Sequence, residues 1–238
     1  MLTRFRNRHE AGRALAAALM PIRREHPVVV ALPRSGVPVG AAVAQALQAP
    51  LDIVVTRKLA PPGEADVVVG ALAEGGGSYI DPTAVGVLGI SHEDLSALAH
   101  NEAVELGRRV KILRGERPPL DVEGRTVVVV DDGIARGASV RAALRSLRQR
   151  RPRRVVVAAP VIAPDTVRDL RDECDDVVCL SSPKLFGAVG FWYQDFTAVT
   201  DDEVLALLAQ SGKPAADAAP PGEPVEMEWD PWIERRLS

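Results

Sequence analysis

Two spacings of apolar residues alternate along the chain, and each switch marks a change of element. Over residues 9–25, Ala11, Leu15, Ala18, Leu19 and Ile22 recur at helical spacing, which predicts an opening helix ending near Pro27, with Arg4, Arg6 and Arg8 solvated in front of it. The unbroken run at 28–32 reads as a strand buried on both faces, and P-R-S-G-V-P-V-G after it opens a helix to about Gln48. Apolar runs at 51–56 and 67–73 predict strands, the second returning from the first in a hairpin-like excursion, and E-G-G-G with 78–80 reads as a turn and a further short strand. Residues 91–114 hold helical spacing through Leu95, Leu98, Leu106, Val110 and Leu113, with Ser91 and Asp94 forming a capping box. A polar connection at 115–124 leads to T-V-V-V-V at 126–130, the central strand. Beyond it a helix is predicted at 139–149, a strand at 153–161, a helix at 164–171, a strand at 176–181, and a last helix from a capping Asp201 to Ala209. Strands alternating with helices at this interval predict an α/β fold, a doubly wound, mostly parallel sheet with right-handed crossovers.

Composition narrows the class without naming the chemistry. A chain of 238 residues with 47% hydrophobic and 26% charged residues suits one globular α/β core with length to spare. The net charge of −3 gives no footprint for nucleic acid, and no apolar run approaches the length of a membrane span. The amino end has no signal-peptide core, so cytoplasm is the expected location. Cys174 and Cys179 are too close together to staple a domain and have no histidine near them, which reads as buried free thiols.

Chemistry concentrates in D-D-G-I-A-R-G-A-S, residues 131–139, which joins the carboxyl end of the central strand to the amino end of a helix. Successive amides of such a loop, with the helix dipole behind them, hold a phosphate without any lysine. Gly137 and Ala138 let the backbone approach closely, and Ser139 donates from side chain and amide alike. Asp131 and Asp132 would repel that phosphate. Two carboxylates here suit vicinal hydroxyls, or a hydrated magnesium ion, beside it, so a phosphorylated sugar fits both halves. The plain alternative is an ordinary strand, turn and helix in which the two acids only cap.

V-V-V-V-D-D-G-I-A-R-G-A-S resembles the signature of the type I phosphoribosyltransferases, which bind 5-phosphoribosyl-1-pyrophosphate (PRPP). The resemblance spans roughly residues 27–202 and implies that Asp131 and Asp132 hold the ribose hydroxyls, with Mg2+ directly or through water. It also implies that the loop from Gly133 and Ile134 through Ala135, Arg136, Gly137, Ala138 and Ser139 cradles the 5′-phosphate. Arg136 stands where the family has a threonine, and Ala138 where a glycine is common. Arg136 either adds charge to the phosphate site or fills it. By the same likeness the pyrophosphate loop lies at residues 33–36, with Arg34, Ser35 and Gly36 in contact with PRPP and a cis peptide at Pro33–Arg34 or the neighbouring bond. Arg57 and Lys58 match the basic residue of a loop that closes over the site, a solvated pair being the alternative. Asp131, Asp132, Arg34 and Lys58 form the implied catalytic set.

Aromatics make up 4% of the chain, yet five of them gather at Phe186, Phe191, Trp192, Tyr193 and Phe196. Core packing is one reading and a base-stacking shelf the other. V-G-F-W-Y-Q-D-F resembles the hood of the purine-salvage members, which implies Phe191 or Trp192 as the stacking ring and Asp195 as an acid near the base or the metal. The implied organisation is a phosphoribosyltransferase-like domain over 1–210, with a flexible loop and helical insertion at 58–124 and a hood at 182–200. A proline- and alanine-rich tail follows at 211–238, whose Trp229 and Trp232 dock on this chain or on a neighbour. The expected activity is Mg2+-dependent transfer of the phosphoribosyl group from PRPP to a nitrogenous base, a purine by the likeness of the hood, with pyrophosphate leaving. The expected assembly is a homodimer. The alternative is a regulatory protein that senses PRPP without turnover.

Overall fold

The alternating pattern builds five parallel strands, and these fix where the loops meet. In the computed structural model, which describes residues 4–64 and 67–211, the large sheet has the order β2 (Leu51–Ile53), β1 (Val28–Ala31), β6 (Thr126–Val130), β7 (Arg154–Val161), β8 (Asp176–Ser181). All four pairings are parallel. Every residue of β6 is buried because it lies between β1 and β7 with helices over both faces. Val128 and Val130 pack towards α1 (Arg8–Leu19) and α2 (Gly36–Leu47), whereas Val127 and Val129 pack towards α5 (Ala138–Gln149) and α6 (Pro164–Leu170). The side-chain alternation of a strand divides its valines between two cores in this way.

A second, three-stranded antiparallel sheet is made of β3 (Thr56–Leu59), β4 (Gly70–Ala73) and β5 (Gly77–Ile80). It corrects the expectation of one strand over 51–56. The run L-D-I-V-V is apolar almost throughout, so nothing in it marks the point where the chain leaves one sheet for the other. In the fold Val54 still donates to the carbonyl of Ala31, but the amide of Val55 donates to the carboxylate of Glu74. Arg57 and Lys58 therefore lie inside a strand, opposite Leu72 and Ala71, rather than at a strand end.

The chain continues through α3 (Pro82–Leu88), α4 (His92–Arg114) and, near the end of the described residues, α7 (Asp201–Gln210). The helix α3 is not in the sequence reading. Its signals are nonetheless present: Asp81 caps the amides of Thr83 and Ala84, Pro82 stands at the first position and Gly89 closes the end. The last helix is capped by Thr200, whose hydroxyl accepts from the Glu203 amide, and not by Asp201. The opening helix stops at Leu19 and gives way to a 3-10 stretch over Met20–Glu25, where Pro21 cannot supply the next helical amide. Trp229 and Trp232 lie outside the described residues. No helix among the described residues is long and apolar enough to cross a membrane.

One buried ionic cluster joins the two sheets to α4. The Arg114 guanidinium donates to Asp52 at 2.9 Å, to both oxygens of Glu74 at 2.8 and 3.0 Å, and to the carbonyl of Ile53. The free oxygen of Asp52 accepts from the Leu120 amide at 2.8 Å. Glu74, which the sequence could not place, thus belongs to this junction. Burial opposes the charge of Arg114, but its two acids outweigh that and raise its pKa.

Candidate functional site

The loops after β1 and β6 meet at the carboxyl edge of the sheet. The Leu32 amide donates to the carbonyl of Val130 at 2.9 Å, and a Cβ on Gly36 would sit 2.8 Å from the same carbonyl oxygen. Only a glycine lets the amino end of α2 pack this closely on the end of β6. The Pro33–Arg34 peptide is cis, one of the two bonds at which the family resemblance implied it. Arg34 projects half-exposed from this turn, and its Nη1 lies 3.8 Å from Asp201 at the start of α7.

After β6, Gly137 adopts a left-handed conformation (φ +77°) and starts α5 without a side-chain cap. Donors from behind take the carbonyls of this loop: Thr166 Oγ1 bonds the Ala135 carbonyl, and Arg141 Nη1 bonds the Arg136 carbonyl at 2.8 Å. Among the described residues no hydrogen bond engages the amides of Ala135, Arg136 or Gly137. A loop with its acceptors occupied and its donors free, at a helix amino end, is chemically an anion seat. The Arg136 side chain is exposed and has no hydrogen-bond or ion-pair partner among the described residues. Ile134 contributes backbone only, since its side chain is buried in the core.

A cleft of about 1200 Å³ opens over these loops. Arg34, Ser35, Asp131, Asp132, Gly133 and Ser139 line its sheet side, and Arg57, Lys58, Glu102, Arg108 and Arg109 its far side. The structure brings Arg34, Ser35, Arg57, Lys58, Asp131, Asp132, Gly133 and Ser139 together at this cleft from three separate stretches of chain, while Gly36 and residues 134–138 stand outside its lining. Arg57 is held by Glu102 at 2.5–2.7 Å, and Arg109 makes a two-pronged bond to Asp201, both contacts at 2.9 Å. Lys58 is exposed.

The acid pair is asymmetric. Asp131 is half-buried, and one of its oxygens accepts from the Asp132 amide at 2.8 Å. Burial pushes its pKa well up, the neighbouring Asp132 adds to this, and Lys58 across the cleft opposes it. Asp132 is 4% exposed and bonds Arg8 Nε through Oδ2 at 2.8 Å. Burial raises its pKa as well, held back chiefly by Arg8 and then by the Ser35 hydroxyl. Arg8, expected in solvent, is itself only 7% exposed. Its Nη1 donates to the Thr197 carbonyl and its guanidinium lies 4.0 Å over the Phe196 ring. Tyr193 completes the junction, its hydroxyl donating to the Asp132 carbonyl at 2.6 Å. Burial, reinforced by Asp132, pushes the Tyr193 hydroxyl above its ordinary range.

The hood divides its aromatics between two roles. Trp192 and Tyr193 pack with Ala11 and Val161, and the Trp192 indole donates to the Phe186 carbonyl at 3.0 Å. Trp192 is thus a core side chain. Phe191 is 61% exposed and does not line the cleft; Phe196 does, together with Val189, Ala198 and Val199. Asp195 is exposed, outside the cleft lining, and accepts from the amide and hydroxyl of Thr197, which lower its pKa. The segment is stitched to the amino end by Phe5, whose amide donates to Trp192 and whose carbonyl accepts from Gln194. Sequence reasoning missed Arg8, Glu102, Arg108 and Arg109 as site residues, and it included Phe196 in the aromatic group without singling it out. The three arginines at positions 4, 6 and 8 look alike in the sequence, and only packing separates Arg8 from the others.

Among the described residues no group of three or more His, Cys, Asp or Glu is placed to hold a metal ion. That donor set still fits magnesium, which binds through one or two carboxylates and completes its shell with water and substrate oxygens. Asp131, facing the cleft, is the residue that would hold it.

Comparison with known proteins bears on the family and the fold. The chain is 43% identical to the protein TT1426 from Thermus thermophilus, whose crystal structure superposes with a TM-score of 0.74 over 89% of this chain and 100% of that one. It is 39% identical over 214 residues to two Mycobacterium tuberculosis proteins, from strains CDC 1551 and H37Rv, whose names give phosphoribosyl transferase as a provisional assignment. The alignment covers 90% of this chain and 48% of theirs, so the chain spans about half the length of the curated relatives it matches. The phosphoribosyl transferase domain family matches residues 4–194, from the segment that carries Arg8 to just past Tyr193, and the chain belongs to that family.

Proposed function

We propose that this chain is a phosphoribosyltransferase that moves the phosphoribosyl group from PRPP to a nitrogenous base and releases pyrophosphate. The observation that carries the reading is one cavity bordered by Gly133 and Ser139, the two ends of the open-amide loop, by Asp131, and by Arg34, Arg57 and Lys58. A sugar phosphate has its phosphate on the amides of residues 135–139 and its ring hydroxyls at Asp131. Its pyrophosphate then lies between Arg34 and the Arg57–Lys58 strand.

Cleavage at the anomeric carbon builds positive charge on the sugar and negative charge on the departing group. Placement and charge stabilisation therefore do most of the work. Asp131 faces the sugar, where a negative charge favours the cationic ring. Arg34 and Lys58 face the leaving oxygens. Magnesium, when bound, supplies further positive charge to the pyrophosphate. Val189, Phe196 and Val199 give the hood end of the cleft an apolar surface suited to a planar base, a purine being the finer part of this reading.

The test is pyrophosphate release from PRPP and Mg2+ with a panel of purines, pyrimidines and simple amines. Stoichiometric nucleotide and pyrophosphate with at least one acceptor is the expected result. Tight PRPP binding with no release for any acceptor would turn the assignment into a PRPP sensor.

A further inference from the structure

We propose that Arg8 is a positioning residue of the sugar site, which takes up the charge and one oxygen of Asp132 and leaves Asp131 as the acid that meets the ribose hydroxyls. The proposal rests on the phosphoribosyltransferase reading and concerns a residue that lies 124 positions from the acid it holds. The geometry is specific. Arg8 is fixed on three sides, by Asp132 Oδ2, by the Thr197 carbonyl and by the face of Phe196. Asp132 is fixed in turn by Arg8 and, through its carbonyl, by Tyr193. An acid this committed has no freedom to follow a substrate, whereas Asp131 borders the cleft half-buried, its carboxylate accepting from the next amide and, among the described residues, held by no cation.

Charge explains why the effect falls on one substrate. With Arg8 in place the paired acids present close to one negative charge to the cleft. Without it, Asp132 becomes an uncompensated carboxylate beside Asp131, and a donor bearing several phosphate charges meets it at short range in a poorly screened site. An uncharged acceptor does not. Loss of Arg8 is therefore felt in donor binding before it is felt in acceptor binding.

The experiment compares wild type, Arg8→Met, Arg8→Lys and Tyr193→Phe for PRPP affinity by calorimetry with Mg2+, and for donor KM, acceptor KM and kcat. Arg8→Met is expected to weaken PRPP binding about tenfold or more, with acceptor KM within about twofold of wild type. Arg8→Lys, which keeps the charge, lies between the two. Tyr193→Phe removes one hydroxyl from the same junction and keeps the ring, so it weakens PRPP about threefold and remains informative if Arg8→Met does not fold. A structural role alone would lower the melting temperature and the active fraction with donor affinity unchanged, and that result overturns the proposal. Arg8→Lys binding no better than Arg8→Met also overturns it. Wild type that fails to bind PRPP overturns the functional reading along with it, so the two failures are separable.

Discussion

The two walls of the cleft hold their charges in different ways. On the sheet side, Asp132 and Arg8 meet with side chains 6% and 8% exposed, closed in by Phe196 and Tyr193. On the far side, Arg57 and Glu102 meet with side chains 38% and 21% exposed, and Arg109 and Asp201 with side chains 18% and 31% exposed. A buried pair cannot exchange partners without leaving a bare charge in a poor solvent, so it behaves as part of the fold. A half-exposed pair is worth little and can be traded for a phosphate oxygen. The sheet-side wall is thus a frame that carries one cleft-facing acid, and the far wall is a set of cations held ready by weak acid partners.

The sharpest test of this contrast removes the one acid that the frame leaves facing the cleft. Asp131→Asn is expected to lower transfer by about 100-fold or more, read as steady-state pyrophosphate release, because it faces the charge that develops on the sugar. Its melting temperature should not fall, since burial and Asp132 already oppose the ionised form of Asp131. A normal rate in Asp131→Asn would move the sugar grip to Asp132 and break the comparison.

A buried ionic cluster outside the cleft lining sets the scale for the stability of the frame. Arg114→Met leaves Asp52 and Glu74 without their cation, and chemical denaturation should show a loss of about 3–5 kcal/mol. Arg57→Gln, in the far wall, should cost less than about 1 kcal/mol of stability and raise the donor KM severalfold with acceptor KM unchanged. If Arg57→Gln destabilised the protein as much as Arg114→Met, the distinction between frame and exchangeable wall would fail. Cys174 belongs to neither wall and gives the smallest effect. Burial raises its thiol pKa, so a thiol reagent at about pH 7.5 should modify it slowly in the native protein and quickly in denaturant.

Much of the frame is legible in the sequence because its causes are local. The valine run at 126–130 is apolar at consecutive positions, which only a strand covered on both faces can bury, and the structure places it at the centre of the sheet. The small residues of 133–139 announce a loop with free amides whatever packs behind it. The break between β2 and β3 left no such mark, since Val54 and Val55 are equally apolar on either side of it. Trp192 and Phe191 illustrate the same limit: adjacent aromatics with like propensities, one in the core and one at 61% exposure.

The sequence by itself determined the strands and helices of the large sheet, the two loops at the carboxyl edge and the acids that stand there, because periodicity and turn chemistry act over a few residues. Only the tertiary structure decided that Arg8 closes on Asp132, that Phe196 rather than its aromatic neighbours lines the cleft, and that Arg109 is clamped to Asp201. Each of those joins residues that are distant in the chain or separates residues that look alike in it, and burial and ion pairing at such places are settled by the packing of whole elements rather than by any stretch of local sequence.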